Sequence, residues 1–518
     1  MNCSRATIQP MIEYNPQDFY RSLKALDAQY RGDFNHDEIP DAQYLNIALK
    51  EEIVSSALSV LLNDEYGNLG SMGVDANCRE ILESLALLKR LAEGKITPDA
   101  CKRFRHQYFL VEYFNEKHIL VYPEDAPMSK KETKAKVQEL VDGYCAKLNC
   151  SEKDLPGFVR DPLFFLSEPG HPVPGFLELI KQELTEESVQ AYTFFSIREH
   201  PHYTAEVPDI LQPLRNRYLK ETLEAAFYFF EKEGDIAKHD EIRGLDEEER
   251  DLLYAGQLQF MQNKVVKTQK LIDAVTSSPE GRIVFVQDYL EQALSLYVDM
   301  RINLTFGFAE QALIKLKPFL ELSAVFQRIE DAPDAATSNL LVRAYETSTS
   351  GSYGMFLEKA THRDDYDDEE LPKLYQEYYR DAYHLDDYAK FREKFLRKSL
   401  YFLDQNPPSY NQLVESFLSG LGSSEREATF DLALYESSKD LGHGGGYLFD
   451  SSDCVWTSFG PQAVVFLNRY LLFFFYLYDL NTAKATGHSS IEALLSSFKA
   501  DCATEEYYFH AIPVHKVD

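Results

Sequence analysis

Apolar residues recur three and four positions apart wherever a pattern can be counted along the chain. Ile53, Leu58, Leu61 and Leu62 form one such set, Leu211, Leu214, Tyr218 and Leu219 a second, and Leu290, Ala293, Leu294 and Tyr297 a third. This spacing places each set on one face of a helix, and the alternation that would signal strands is scarce. Helix starts are also legible. Thr97-Pro98-Asp99 puts a hydroxyl at the N-cap and proline at the first helical position, and Asp246 to Glu249 has the spacing of a capping box. The pattern therefore predicts an all-α protein built from packed helical hairpins.

Interruptions divide the chain. They fall at the polar, lysine-rich stretch Pro123 to Lys136, at Glu330 to Ser338, at Asn406 to Ser409, and at the glycine-serine segments Ser419 to Glu425 and Gly442 to Asp453. They suggest an N-terminal helical region over 1–160, a central helical bundle over 161–330 and a C-terminal helical region over 331–518, packed together. The nine-residue apolar run from Tyr470 to Tyr478 lies beside Asn468, Arg469 and Asp479 and is too short to cross a bilayer, so no membrane span is expected.

Composition narrows the function. The chain has 518 residues, with 84 Asp and Glu against 53 Lys and Arg, a formal net charge of −31 that disfavours nucleic acid as a partner. The 33 Tyr and 34 Phe are suited to wide hydrophobic cores. Seven cysteines without a Cys-x-x-Cys pair, and an N-terminus without an apolar leader, point to a cytoplasmic protein with reduced thiols, although export by a signal-less route leaves no such mark.

An internal similarity appears when Thr97 is laid on Thr185, an offset of 88 residues: Leu88, Leu91 and Ile96 then fall on Phe176, Leu179 and Leu184, and Phe104 on Tyr192. Both copies read as an apolar helix, a threonine-capped turn and an aromatic-rich helix. With Gly94, Thr97, Gln107, Tyr108 and Phe109, and more loosely His171, Pro172, Thr185, Gln190 and Tyr192, they resemble the opening hairpin of the haem-oxygenase-like superfamily, which includes TenA-type proteins and iron-dependent oxidases. The resemblance covers about 30 residues per copy. It implies a helical bundle and, in the iron-binding members, a glutamate followed by a histidine near a glycine. Glu231, Glu233 and His239 stand at the corresponding distance after the second copy, while the family's closing His-x3-Asp-x2-His run has no counterpart. A spacing of six sets Glu233 and His239 about 120° apart on a regular helix, so Gly234 has to kink or break it.

A second candidate set has better local geometry. Glu358, His362, Asp365 and Glu369 are spaced four, three and four apart and share one stripe of a helix, with Glu291 as a further donor from elsewhere. Carboxylate and imidazole groups of this kind suit iron or manganese in helical bundles. The expected metal ligands are thus Glu233, His239, Glu291, Glu358, His362 and Asp365, and the implied activity is a non-haem iron or di-iron oxidase acting with O2 on a small apolar or amino-acid-like substrate. Against this, an acidic run such as 364–370 is more often a solvated loop or helix end than a metal face.

Other motifs carry less. His443-Gly444-Gly445-Gly446 resembles an esterase oxyanion loop without the Gly-x-Ser-x-Gly nucleophile, and His362-Arg363-Asp364 lacks the rest of a kinase site. His200-Pro201-His202 places two imidazoles in a tight turn, more suited to an exposed loop than to a metal site. The segment from Tyr345 to Phe356 resembles the serine-threonine-serine strand of mono-ADP-ribosyltransferases, with Arg301 and the pair Glu425 and Glu427 in the accompanying positions. The alternatives to an oxidase are therefore an ADP-ribosyltransferase-like effector and a non-catalytic acidic scaffold that binds a protein partner with a basic surface.

Overall fold

The computed structural model describes residues 22–27, 29–30, 39–65, 70–105, 129–148, 163, 166–167, 173–199, 211–235, 292–293, 295–303, 308–334, 336–345, 347, 370–383, 387–398 and 408–420, with single positions at 432, 435, 438, 496 and 500. Every regular element among them is helical, as the apolar spacing predicts. In chain order they are α1 (Asp41–Glu65), α2 (Met72–Ala92), α3 (Pro98–Arg105), α4 (Lys130–Leu148), α5 (Phe176–Glu183), α6 (Glu186–Glu199), α7 (Gln212–Glu233), α8 (Ala309–Ile314), α9 (Leu316–Glu330), α10 (Glu370–Leu374), α11 (Arg380–Tyr383), α12 (Tyr388–Lys398) and α13 (Tyr410–Gly420), with a π-helical turn over Tyr375–Tyr379 joining α10 to α11. No described helix is long and apolar enough to cross a membrane.

The organising element is α2. Every residue from Met72 to Leu88 is buried, so the helix is enclosed on all sides rather than on one stripe. α1 lies along it, α5, α6 and α7 close its other sides, and α3 packs back on α1. Residues from all three regions of the sequence join one continuous hydrophobic core, running from Leu23 through Phe194, Tyr297 and Phe326 to Tyr379 and Val414. The abundant rings are used as their number suggests. Around the π-helical turn, Phe391 stacks 4.9 Å from Tyr375 and 5.2 Å from Tyr379, and Phe395 lies 5.4 Å beyond it.

Local signals explain the helix ends. The Thr97 hydroxyl accepts from the Ala100 amide and Thr185 from the Ser188 amide, so the two segments related by the 88-residue offset are both threonine-capped hairpins. They differ in the turn itself: the first passes through Gly94 at φ +69°, a left-handed conformation glycine adopts without penalty, whereas the second passes through extended Leu184. The hairpins also meet. Lys95 and its equivalent Glu183 are bonded at 2.9 Å, and Arg90 reaches the same carboxylate at 3.1 Å. One expectation is corrected: the lysine-rich stretch taken as an interruption from Pro123 to Lys136 is helical from Lys130 onward. A reciprocal capping box, in which Ser129 and Glu132 bond each other's amides, starts α4 despite the cationic first turn.

Two glycines test this architecture in opposite directions. A Cβ at Gly73 in α2 would stand 2.1 Å from Asp299 Oδ2 and 2.6 Å from Lys315 Cε, so Gly73→Ala overpacks the centre and should lower stability by about 1–3 kcal/mol. Gly143, exposed within α4, has nothing within 4 Å of a built Cβ, and Gly143→Ala should raise stability by about 0.5–1 kcal/mol through helix propensity. Urea denaturation followed by circular dichroism measures both; equal and small effects would contradict the enclosed position of α2.

Candidate functional site

The polar side chains that α2 carries inward form three linked centres. At its first turn Asp75 is fully buried between two guanidinium groups: Arg198 Nε donates to Oδ2 at 2.9 Å and Arg215 Nε to Oδ1 at 2.8 Å. The same arginines extend to the carbonyls of Gly70, at 3.2 Å, and Ser71, at 3.5 Å, tying α6 and α7 to the entry of α2. A carboxylate at this position also complements the partial positive charge of the helix start.

The second centre is Asp299, on the helical run 295–303. Its carboxylate accepts from Asn63 Nδ2 at 2.9 Å, Ser71 Oγ at 2.8 Å and Asn303 Nδ2 at 2.8 Å, and pairs with Lys315 Nζ at 3.3 Å. Ser71 has two tasks, because its hydroxyl also accepts the Gly73 amide at 3.1 Å as the N-cap of α2. Lys315, between α8 and α9, further donates to Ser59 Oγ and to the Gln311 carbonyl, both at 3.0 Å. Burial pushes the Asp299 carboxyl above its ordinary range, opposed by Lys315 and by its hydroxyl and amide donors.

The third is a polar seam between α1 and α2. Glu52, Ser56 and Ser59 on α1 meet Ser84, Glu80 and Asn77 on α2, with Ser84 Oγ to Glu52 at 2.9 Å, Ser56 Oγ to Glu80 Oε2 at 2.8 Å and Ser59 Oγ to Asn77 Oδ1 at 3.0 Å. The steps of four and three on α1, and of three and four on α2, are those of one helix face. Asn77 continues to Gln311 at the end away from Ser59. On the adjoining side of α2 Glu83 accepts from Tyr192 Oη at 2.9 Å and lies 3.5 Å from Arg79 Nε. Burial raises the Glu80 carboxyl to about 7 and lowers the Lys317 amine to about 8.

These contacts organise helices: Asp75, Asp299, Lys315 and Glu83 each meet protein groups from another helix or segment. The arrangement fixes the axial position of α2 relative to five other segments. Nothing in the sequence motifs signals it; the visible trace is the period-3.6 row of small and polar residues, Glu52, Ser56, Ser59 and Asn63, inside a helix otherwise apolar enough to be central.

The expected metal ligands divide differently. Glu233 is the last residue of α7, exposed, and Gly234 ends the helix there at φ +80°, with the Asp235 amide returning to the Phe230 carbonyl at 3.0 Å. The helix is thus broken rather than kinked at the glycine. Asp235 is in turn fixed by Lys50 at 2.6 Å. His239, Glu291, Glu358, His362 and Asp365 lie outside the described residues, as do Glu369, Glu425, Glu427, His200, His202 and the 443–446 loop. Among the described residues no group of three or more His, Cys, Asp or Glu side chains is placed to hold a metal ion. Arg301 is buried on the run 295–303, and Tyr345 and Thr347 are helical, where a transferase would need strand.

The Asp75 centre gives a direct test. Asp75→Ala leaves two buried guanidinium groups facing each other and should cost about 3–5 kcal/mol of stability. Replacing all three as Asp75→Leu, Arg198→Met and Arg215→Met should restore most of that loss. Urea denaturation of the single and triple variants measures the difference; a triple variant as unstable as the single one would show that the ions themselves, rather than their mutual neutralisation, hold the helices.

No protein-family profile matches the chain, and no curated protein or solved structure matches it significantly.

Proposed function

We propose that this protein is a non-catalytic, acidic helical interaction protein that binds a partner with a basic surface. The observation that carries this reading is a balance of charge. The buried ions among the described residues are Lys50, Arg79, Arg198, Arg215, Arg301, Lys315 and Lys317 against Glu51, Asp75, Glu80, Glu83, Glu183, Asp299 and Glu321, seven of each sign. The whole surplus of 31 negative charges therefore belongs to the rest of the chain. By formal charge these buried groups of the described residues cancel, or carry one positive charge where Glu80 is protonated, so a chain with this acidic surplus attracts basic proteins at long range, with association rates that fall as salt rises.

The oxidase reading rests on Glu233 and on five residues outside the described set, together with the resemblance of the two threonine-capped hairpins to the haem-oxygenase-like opening. In it, iron held by those carboxylates and imidazoles would activate O2 beside a small apolar or amino-acid-like substrate.

One experiment separates the two. The full chain, immobilised and exposed to lysate at about 0.05 M and then about 0.5 M salt, should retain basic proteins at the lower concentration and release them at the higher, where screening shortens the Debye length several-fold. Retained candidates are then tested by purified pairwise binding. Purified protein loaded anaerobically with iron and opened to air should bind no stoichiometric iron and develop no near-ultraviolet band. Stoichiometric iron with such a band, and no salt-dependent partner, would replace the interaction reading with the oxidase.

A further inference from the structure

Glu80 is the one member of the α1–α2 seam whose carboxylate is left short of donors. It is fully buried, Ser56 Oγ lies 2.8 Å from Oε2, and Oε1 has no hydrogen-bond partner among the described residues. The cations acting on it are committed elsewhere: Lys315 to Asp299, Ser59 and the Gln311 carbonyl, and Arg79 to Glu83. Glu83, one turn along its own helix, adds a like charge. From α1 it meets a hydroxyl, and Glu52, one turn before Ser56, is itself held by Ser84. Across α2, Tyr192 of α6 bonds Glu83 rather than Glu80.

An ionised carboxylate in a dry interior needs two or three donors or a direct ion pair, and an orphaned charge there is costly. A neutral acid fits this site better, because its O–H can donate to Ser56 Oγ over the same 2.8 Å separation and its carbonyl oxygen makes a smaller demand. We propose that Glu80 is held in the α1–α2 seam as a neutral carboxylic acid, and that loss of its proton loosens the pairing of these two helices, making the seam a proton-sensitive joint.

Burial is the largest influence on this group and raises its carboxyl from 4.5 to about 7, against Ser56, Lys315 and Arg79 and with the help of Glu83. The folded protein then keeps a proton that the unfolded chain has already lost between those two values. The stabilisation is fully present below pH 4.5, declines as pH rises, and is gone above about pH 7.

The test compares the full-length protein with Glu80→Gln, which keeps the shape and cannot ionise. Urea denaturation from pH 5 to pH 8 should show the folding constant of the unaltered protein falling, relative to Glu80→Gln, by about fiftyfold to a hundredfold, since each pH unit in the window is worth up to tenfold. Infrared difference spectra of the folded protein across the same range should contain a protonated-carboxyl carbonyl band that moves on labelling glutamate with carbon-13 and is missing in Glu80→Gln. Parallel pH profiles for the two proteins would overturn the proposal. If Glu80→Gln does not fold, the labelled spectrum of the unaltered protein decides, and the lack of a glutamic-acid carbonyl band near neutral pH would overturn it equally.

Discussion

The enclosure of α2 is the constraint from which the rest of this structure follows. A helix buried on every side can carry polar groups only if neighbouring elements bring matching ones, because an unpaired ion or amide in that environment costs more than the hydrophobic burial of its neighbours returns. Asp75, Asn77, Glu80, Glu83 and Ser84 therefore dictate what must surround them: Arg198 from α6, Arg215 from α7, Glu52, Ser56 and Ser59 from α1, Gln311 from α8, and Tyr192 from α6. Hydrophobic contact alone would permit α2 to slide or rotate among its neighbours; the directional bonds select one register.

The Ser71–Asp299–Lys315 junction shows how tightly these demands are coupled. One serine caps the helix and fixes the carboxylate, the carboxylate fixes the lysine, and the lysine reaches the first seam pair through Ser59. The close approach is possible because residue 73 has no side chain. Segments more than 200 positions apart in the chain are thereby joined at the point where α2 begins. Such a junction stores information about assembly more than it stores stability, since buried ion pairs are roughly neutral in energy against apolar replacements yet severe when broken singly.

The buried groups of the described residues and the chain as a whole thus differ in their charge balance. Among the described residues the formal charges of the buried groups cancel, and the excess acid belongs to the remainder of the chain. This difference connects the fold to the proposed interaction role, because the near-balance of the described buried groups leaves the field of the acidic surplus intact. Glu80 is the exception within the balanced set, an acid whose local partners suit its neutral form.

By itself the sequence determined the helical class, through apolar spacing in segments such as Ile53 to Leu62 and Leu211 to Leu219, and it determined local punctuation: the Thr97 cap, the paired hairpins at an offset of 88 and the stop at Gly234. These features depend on neighbours within a turn or two, which linear spacing records directly. Only the tertiary structure decided that Asp75 faces two arginines over 120 positions away, that Gly73 must stay bare beneath Asp299 and Lys315, and that Glu80 Oε1 has no hydrogen-bond partner among the described residues. The chemistry of such groups is set by desolvation and by partners that converge from distant segments, and neither has a signature in the order of residues along one helix.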